Sequence, residues 1–322
     1  MGMKLMGTTG LMLAMVSFGT LGMCAAAPEI TGKQDDKAGT LTVTVDGKEA
    51  LVYRYGANED LTHFHPLRSP AGKSMLVRKT EPYPHHRAFW FGDKVRKPGG
   101  RAVATYNALY SGVDRKDPPY QDHVRHVGFE HLKSEGNVLS YVEKLVWEMD
   151  GDVPLLDERR DVRVTALGGG EYLMDIRFTV IAAHGDIEFV SDAVHYAWPY
   201  LRMNTEFSVE GGGRITSSTG GINQKGTNNS VADWMDYSNT SGDKNGGLTV
   251  MSHPENKKPH RWLTRDYGTF GPRRIDALSG KTFTLKQDET MTRRVGALVH
   301  LGDVKTGKVA ERYAAYAKTT LP

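Results

Sequence analysis

A period-two alternation runs through the middle of this chain. Met174, Ile176, Phe178 and Val180 fall on one side of an extended segment, and Asp175, Arg177 and Thr179 on the other. Successive side chains of a strand point to opposite faces, so the pattern predicts an antiparallel strand with one buried face. Val162, Val164 and Ala166 make a similar face just upstream, and Gly168-Gly169-Gly170 connects the two. Leu41 to Val45 also alternates and runs into Asp46-Gly47, a hairpin signal, with Ala50 to Tyr55 as the returning arm. Tyr141 to Met149 before the Asp150-Gly151-Asp152 turn, Phe283 with Leu285, and Val295 with Ala297 and Val299 extend the series.

Helical periodicity is confined to Val309–Lys318, after the break at Gly307. Ala27 to Gly39 reads as a polar, frayed start. Residues 211–229 and 238–247, rich in Gly, Ser, Thr and Asn, read as long loops. Many short strands without α alternation predict an all-β fold, a large antiparallel β-sandwich with few short helices. The 322 residues are 39% hydrophobic and 25% charged, enough for a single large domain over 27–322.

The first residues predict a signal peptide over 1–26. Lys4 supplies the positive start, Gly10 to Met23 the apolar stretch, and Cys24-Ala25-Ala26-Ala27 the small-residue cleavage site. The apolar stretch falls short of the ~20 residues that a membrane span requires. Cys24 is the sole cysteine, so cleavage leaves no disulfide, thiolate metal site or cysteine nucleophile. Lipid anchoring through Cys24 is the competing reading, which Met23 fits poorly. The expected location is therefore periplasmic or extracellular. A net charge of +3 without a concentrated basic run gives no reason to expect a nucleic-acid partner. The oligomeric state is not readable.

Three clusters carry chemistry. Tyr83 to Phe91 holds His85, His86, Arg87 and Trp90. Imidazole moves protons near neutral pH, guanidinium grips carboxylates, and an indole stacks on a sugar ring. On a strand His85 and His86 point to opposite faces, so one of them faces a given pocket. Asp233 to Tyr237 offers Trp234 and Tyr237 as a platform and Asp236 as a carboxylate. The stretch from His253 to Gly268 offers His253, Trp262, Arg265, Asp266 and Tyr267. His195, with Trp198, Tyr200 and Arg202 close by, adds a further imidazole in a group that would line the same cleft, the plainer alternative being a satisfied core histidine. His86, His195 and Asp236 are the expected catalytic groups, and the others would bind substrate. For every cluster the plainer alternative is a packed strand with structural hydrogen bonds or ion pairs. For Glu158-Arg159-Arg160 the structural ion pair is preferred. No zinc signature, phosphate loop or GxSxG elbow occurs, although His63 and His65 share one strand face. Neither a metal nor another cofactor is expected.

The ordered set of motifs resembles the family of secreted bacterial proteins DUF6807, also labelled "methane oxygenase PmoA-like". The likeness runs from about Tyr53 to Tyr316. It rests on Pro66-Leu67 with Pro70 and Gly72, on His85-His86-Arg87 with Trp90-Phe91, and on Glu158-Arg159. It continues through Ala232 to Tyr237, His253-Pro254 with Asn256, and Trp262 with Arg265 to Gly268. The resemblance implies a β-supersandwich of the galactose-mutarotase type, sugar binding, and catalysis by histidine with a carboxylate. The chain departs from the pattern in having Ala88 for the usual glycine and Gly271-Pro272 for Asn-Pro. It also has Ser191 to His195 where the family has Thr-Lys-Glu-Gly-Gly, so Asp192 or Asp236 would have to replace that glutamate. The leading expectation is a carbohydrate-active enzyme of mutarotase, lyase or hydrolase type acting on a small-molecule or oligosaccharide ligand. A non-catalytic glycan-binding protein and a metal-dependent oxidative enzyme are the alternatives.

Overall fold

The computed structural model of the chain describes residues 1–2, 27–105, 120–191, 197–256, 261–274 and 278–321. The expected leader, with Cys24, lies outside them apart from its first two residues. Among the described residues no helix is long and apolar enough to cross a membrane.

Two eight-stranded sheets dominate. The first runs, in spatial order, β1 (Ile30–Asp35), β2 (Thr40–Val45), β3 (Lys48–Arg54), β4 (His63–Leu67), β7 (Phe89–Trp90), β15 (Tyr200–Arg202), β20 (Thr269–Pro272) and β19 (Trp262–Thr264). The second runs β10 (His123–Glu135), β11 (Val138–Met149), β12 (Val153–Gly168), β13 (Glu171–Ile181), β22 (Thr290–Leu301), β18 (Gly246–Ser252), β17 (Trp234–Asn239) and β16 (Arg214–Ser217). A four-stranded sheet of β21 (Phe283–Leu285), β14 (Ile187–Phe189), β8 (Lys94–Arg96) and β9 (Val103–Ala104) and the hairpin β5 (Arg78–Thr80)–β6 (Tyr83–Arg87) complete the fold. The large antiparallel sandwich is the expected one.

The alternating residues do what period two requires. Met174, Ile176, Phe178 and Val180 are buried, and β13 pairs with β12 from Asp157↔Ile181 to Gly168↔Glu171. One cluster of buried apolar residues runs through both large sheets. Phe91 stacks on Phe178 at 4.4 Å, and Tyr237 meets Phe270 across the sheets at 4.4 Å. Charge also lies between the sheets. Arg160 bridges Glu158 at 2.7 Å and donates to Tyr53 Oη and Thr62 Oγ1, and Tyr53 in turn donates to Glu143. Trp147 Nε1 donates to Glu158 at 2.9 Å. Buried charges persist when every lone pair and proton is engaged, so Glu158-Arg160 is the structural ion pair foreseen.

Two segments correct the sequence reading. The polar start contains β1, which pairs along its length with β2 while burying only Ile30. Ladder hydrogen bonds and a charged, solvated face suit an edge strand, which periodicity of apolar residues cannot reveal. The stretch 211–229 contains β16 and the short helix α1 (Asn223–Thr227), whereas 238–247 is strand only at its ends, where β17 stops at Asn239 and β18 starts at Gly246, and the expected loop occupies 240–245. The predicted helix is α2 (Val309–Tyr316). Its Val309 and Tyr316 cover Trp234, Met251 and Leu298 on the second sheet.

Candidate functional site

The site forms on the first sheet's outer face. Phe64, Phe89, Leu201 and Phe270 are neighbours across β4, β7, β15 and β20, and the last of them meets Tyr237 of the second sheet, which sets this row on the inner face. Their chain neighbours His63, Trp90 and Tyr200 also sit opposite one another, so alternation directs these three away from the second sheet. The β5–β6 hairpin folds onto that face. Between β6 and β7 the chain passes through Ala88 at φ +73°, the left-handed region that glycine occupies without strain.

The hairpin and sheet build a continuous stack. Tyr200 lies on Trp90 with ring centroids 5.1 Å apart, and Trp90 faces His86 at 5.4 Å. His86 stacks on Tyr83 at 5.0 Å, and Tyr83 stacks on Tyr267 at 5.0 Å. The Arg202 guanidinium closes the row, 4.5 Å from the Tyr267 ring centroid and 5.6 Å from that of Tyr83. His85 meets His86 edge-on at 4.5 Å. Trp90, Tyr200, His86 and Arg202 are buried, whereas Tyr83, His85, Arg265 and Tyr267 are half-buried and reach the surface.

Electrostatics keep both imidazoles neutral. Burial pushes His86 down to about 2, and the charges of His85, Arg202 and Arg87 add to the shift. Burial and Arg87 push His85 down to about 4. A neutral imidazole accepts a proton or a hydrogen bond, and at neutral pH it is not the protonated acid. The His86 Nδ1 atom is buried without a hydrogen-bond partner among the described residues. Arg202 donates through Nη1 to the Tyr267 carbonyl oxygen, while its buried Nε has no partner. Burial also lowers the Arg202 pKa, with Tyr267, Tyr83 and Glu210 opposing the shift. Arg273, just past β20, is pushed down to about 10 by burial and by the nearby charge of Arg265.

The structure brings His85, His86, Trp90, Arg265 and Tyr267 to this face and separates the rest. Asp236 is fully buried in the second sheet, 2.8 Å from His300 Nε2, and accepts from Thr249 Oγ1. Its neighbours Met235 and Tyr237 face the core, so Asp236 points to the opposite side, as Trp234 does under α2. It is therefore not the carboxylate partner of His86. His253 lies edge-on to Tyr316 at 5.1 Å, at the far edge of the same layer. Arg87 is locked to Asp60 at 2.7 Å and to the Pro84 carbonyl, so it holds the hairpin and is not available to a ligand. Tyr237 donates to the Arg265 carbonyl, and Trp262 Nε1 to that of Ala232, both from within the core. Asp266 accepts from the Gln224 backbone and anchors α1. His195 and Asp192 lie outside the described residues.

Sequence reasoning names no individual role for Tyr83, Tyr200 or Arg202, although it counts Tyr83 in the first cluster and expects the group from His195 to Tyr200, with Arg202, to line the same cleft. Adjacency to a histidine is the one signal that could have selected Tyr83. His300 is missed for a plainer reason, since nothing local links it to Asp236. His63 is no free ligand: its Nδ1 meets the Leu61 carbonyl at 3.0 Å and its Nε2 accepts from Arg78 at 3.1 Å. Among the described residues no three His, Cys, Asp or Glu side chains gather closely enough to hold a metal ion. Elsewhere, a cavity of about 250 Å³ is lined by Tyr55, Glu59, His123, Arg125 and His126. Its two imidazoles are tied to Glu148 and Glu143, each at 2.6 Å.

A two-sheet antiparallel sandwich with a histidine, arginine and aromatic row on one outer face defines the class. The sequence matches the family of unknown function DUF6807 over residues 40–314, and the chain belongs to that family. No curated protein matches it. Among solved structures, similarity extends to a GH36 α-galactosidase from Geobacillus stearothermophilus, at 9% identity and a TM-score of 0.46 over 86% of this chain and 42% of that one. A galactose 1-epimerase from Lactobacillus acidophilus matches at 9% identity and a TM-score of 0.35, over 86% of this chain and 99% of that one. A GalM/aldose epimerase homologue from C. elegans matches at 9% identity and a TM-score of 0.36, over 86% and 100%. The chain spans about two fifths of the length of the α-galactosidases it matches.

Proposed function

We propose that this protein is a carbohydrate-active protein, exported from the cytoplasm, that holds a sugar on the outer face of its first sheet and moves a proton through His86. The observation that carries the reading is the buried, neutral His86 imidazole. Among the described residues its Nδ1 has no partner, and it lies within an aromatic row whose rim reaches solvent. Aromatic rings pack against the C–H faces of sugars, and a desolvated neutral imidazole is a hydrogen-bond acceptor that becomes an effective general base once a bound substrate raises its depressed pKa. Tyr83 and Tyr267, half-buried, bring the solvent-facing edge of the row to the rim, where a sugar would rest. His85 and Arg265 stand at its edge to meet hydroxyls.

A second reading, binding without turnover, is favoured by one observation: the carboxylate expected beside His86 lies instead in the other sheet. One variant separates the two. His86→Gln, which cannot act as a base, is assayed for glycan binding and for turnover. Binding retained with turnover lost supports the enzyme. A wild type that binds but turns over no glycan supports the binder. Absence of glycan binding in the wild type overturns both.

A further inference from the structure

Resting on that reading of the face, we propose that the sugar it takes is acidic, with a carboxylate seated against Arg202. Arg202 is 6% exposed, yet among the described residues no Asp or Glu forms an ion pair with it. Its guanidinium is held by the Tyr267 carbonyl and by the faces of Tyr83 and Tyr267, which orient the group without neutralising it. A buried cation in such surroundings gains most from an anion supplied from outside. Among the described residues the acidic group acting on it, Glu210, forms no ion pair with it and is itself exposed.

Geometry and chemistry narrow the anion. Among the described residues the buried Nε–H of Arg202 has no acceptor, and a planar guanidinium edge matches the two oxygens of a carboxylate. His86 presents an acceptor nitrogen in the same row, which suits a ring hydroxyl or C–H next to that carboxylate and would repel a second anion less than a carboxylate side chain would. A neutral hexose would satisfy His86 and the aromatic rings but would leave the Arg202 charge uncompensated. A hexuronate satisfies all three.

The test is a glycan array carrying three matched probes: uronate oligosaccharides, the same chains with carboxylates reduced to alcohols, and neutral chains bearing sulfate. The proposal expects the uronate probes to bind at least tenfold tighter than their reduced counterparts. It expects Arg202→Gln to lose that preference and Arg202→Lys to keep part of it. Because Arg202 packs between two tyrosines, each variant is checked for an unchanged unfolding midpoint. Should a variant fail to fold, the wild-type preference for carboxylate, together with its loss below the pKa of the sugar acid, decides the question. Equal binding of uronate and reduced probes overturns the acidic-sugar proposal and leaves the sugar reading standing. Preference for sulfate overturns the carboxylate assignment. Binding of none overturns both proposals.

Discussion

The Asp236 carboxylate and the His300 imidazole meet at 2.8 Å with neither side chain exposed, beneath the C-terminal segment and away from the inter-sheet core. Gly247 and Gly307 flank the imidazole so closely that a methyl group on either would strike the ring. The pair is a structural fastener between the second sheet and the segment leading to α2. Burial lowers the His300 pKa, but the Asp236 charge and hydrogen bond outweigh it and the net shift is upward. Its stabilisation is therefore fully present below the unfolded histidine value of about 6.5 and is lost as pH rises through the raised folded value. Removing one partner strands the other in a dry site, which costs about 3–5 kcal/mol. Asp236→Ala is expected to lower stability by that amount at pH 6 and by less at alkaline pH, measured by urea unfolding. Any ligand affinity of the folded fraction should remain at the wild-type level.

The neutral imidazoles of the β5–β6 hairpin have the opposite pH dependence. His85 and His86 have folded values depressed to about 4 and about 2, so the unfolded chain binds more protons below about 6.5. Stability held above that pH is lost as pH falls, by at most about 1.4 kcal/mol per pH unit for each group. The variants His85→Gln and His86→Gln are expected to flatten the fall between pH 6.5 and 4.5. Unfolding midpoints across that range provide the measurement, and an unchanged slope would remove the neutral-imidazole assignment.

Ala88 carries local strain because an L-residue there occupies φ +73° between two functional strands. Ala88→Gly relieves that strain and gives up one buried methyl, so it should stay within about 1 kcal/mol of the wild type. A β-branched side chain fits neither the backbone nor the fully buried space. Ala88→Val should lose more than about 2 kcal/mol. Thermal melts of the two variants test the contrast.

Arg160 presents a buried charge cluster to the same kind of test. With Glu158, Glu143 and Tyr53 around it between the sheets, Arg160→Ala should destabilise the fold by about 3–5 kcal/mol. The double change Arg160→Met with Glu158→Leu should recover a substantial part, because both desolvated charges disappear together. Chemical denaturation of the single and double variants gives the coupling directly.

The long strands were legible because period two is a local signal. Met174 to Val180 declares its buried face without reference to any other part of the chain, and Glu158-Arg160 declares a pair two residues apart. Edge strands such as β1 were not, since their pairing is made by backbone groups common to all residues. The site was half legible for the same reason. His86, Trp90 and Tyr267 announce themselves by composition. Whether Asp236 faces them depends on which side of which sheet it occupies, and a one-residue step in β17 decides that. Arg202 gained its place from β15 lying between β7 and β20, a relationship that spans well over a hundred residues of chain.

Trp90 touches His86 on one side and Tyr200 on the other, while Trp147, Trp198, Trp234 and Trp262 are packed in other parts of the interior. Indole emission responds to what lies against the ring. The face thus contains its own optical reporter: one fluorophore in five senses a molecule settling on the imidazole, and the other four act as an internal reference. Replacing that single indole by Phe silences the reporter, so occupancy can be followed in solution without attaching a dye.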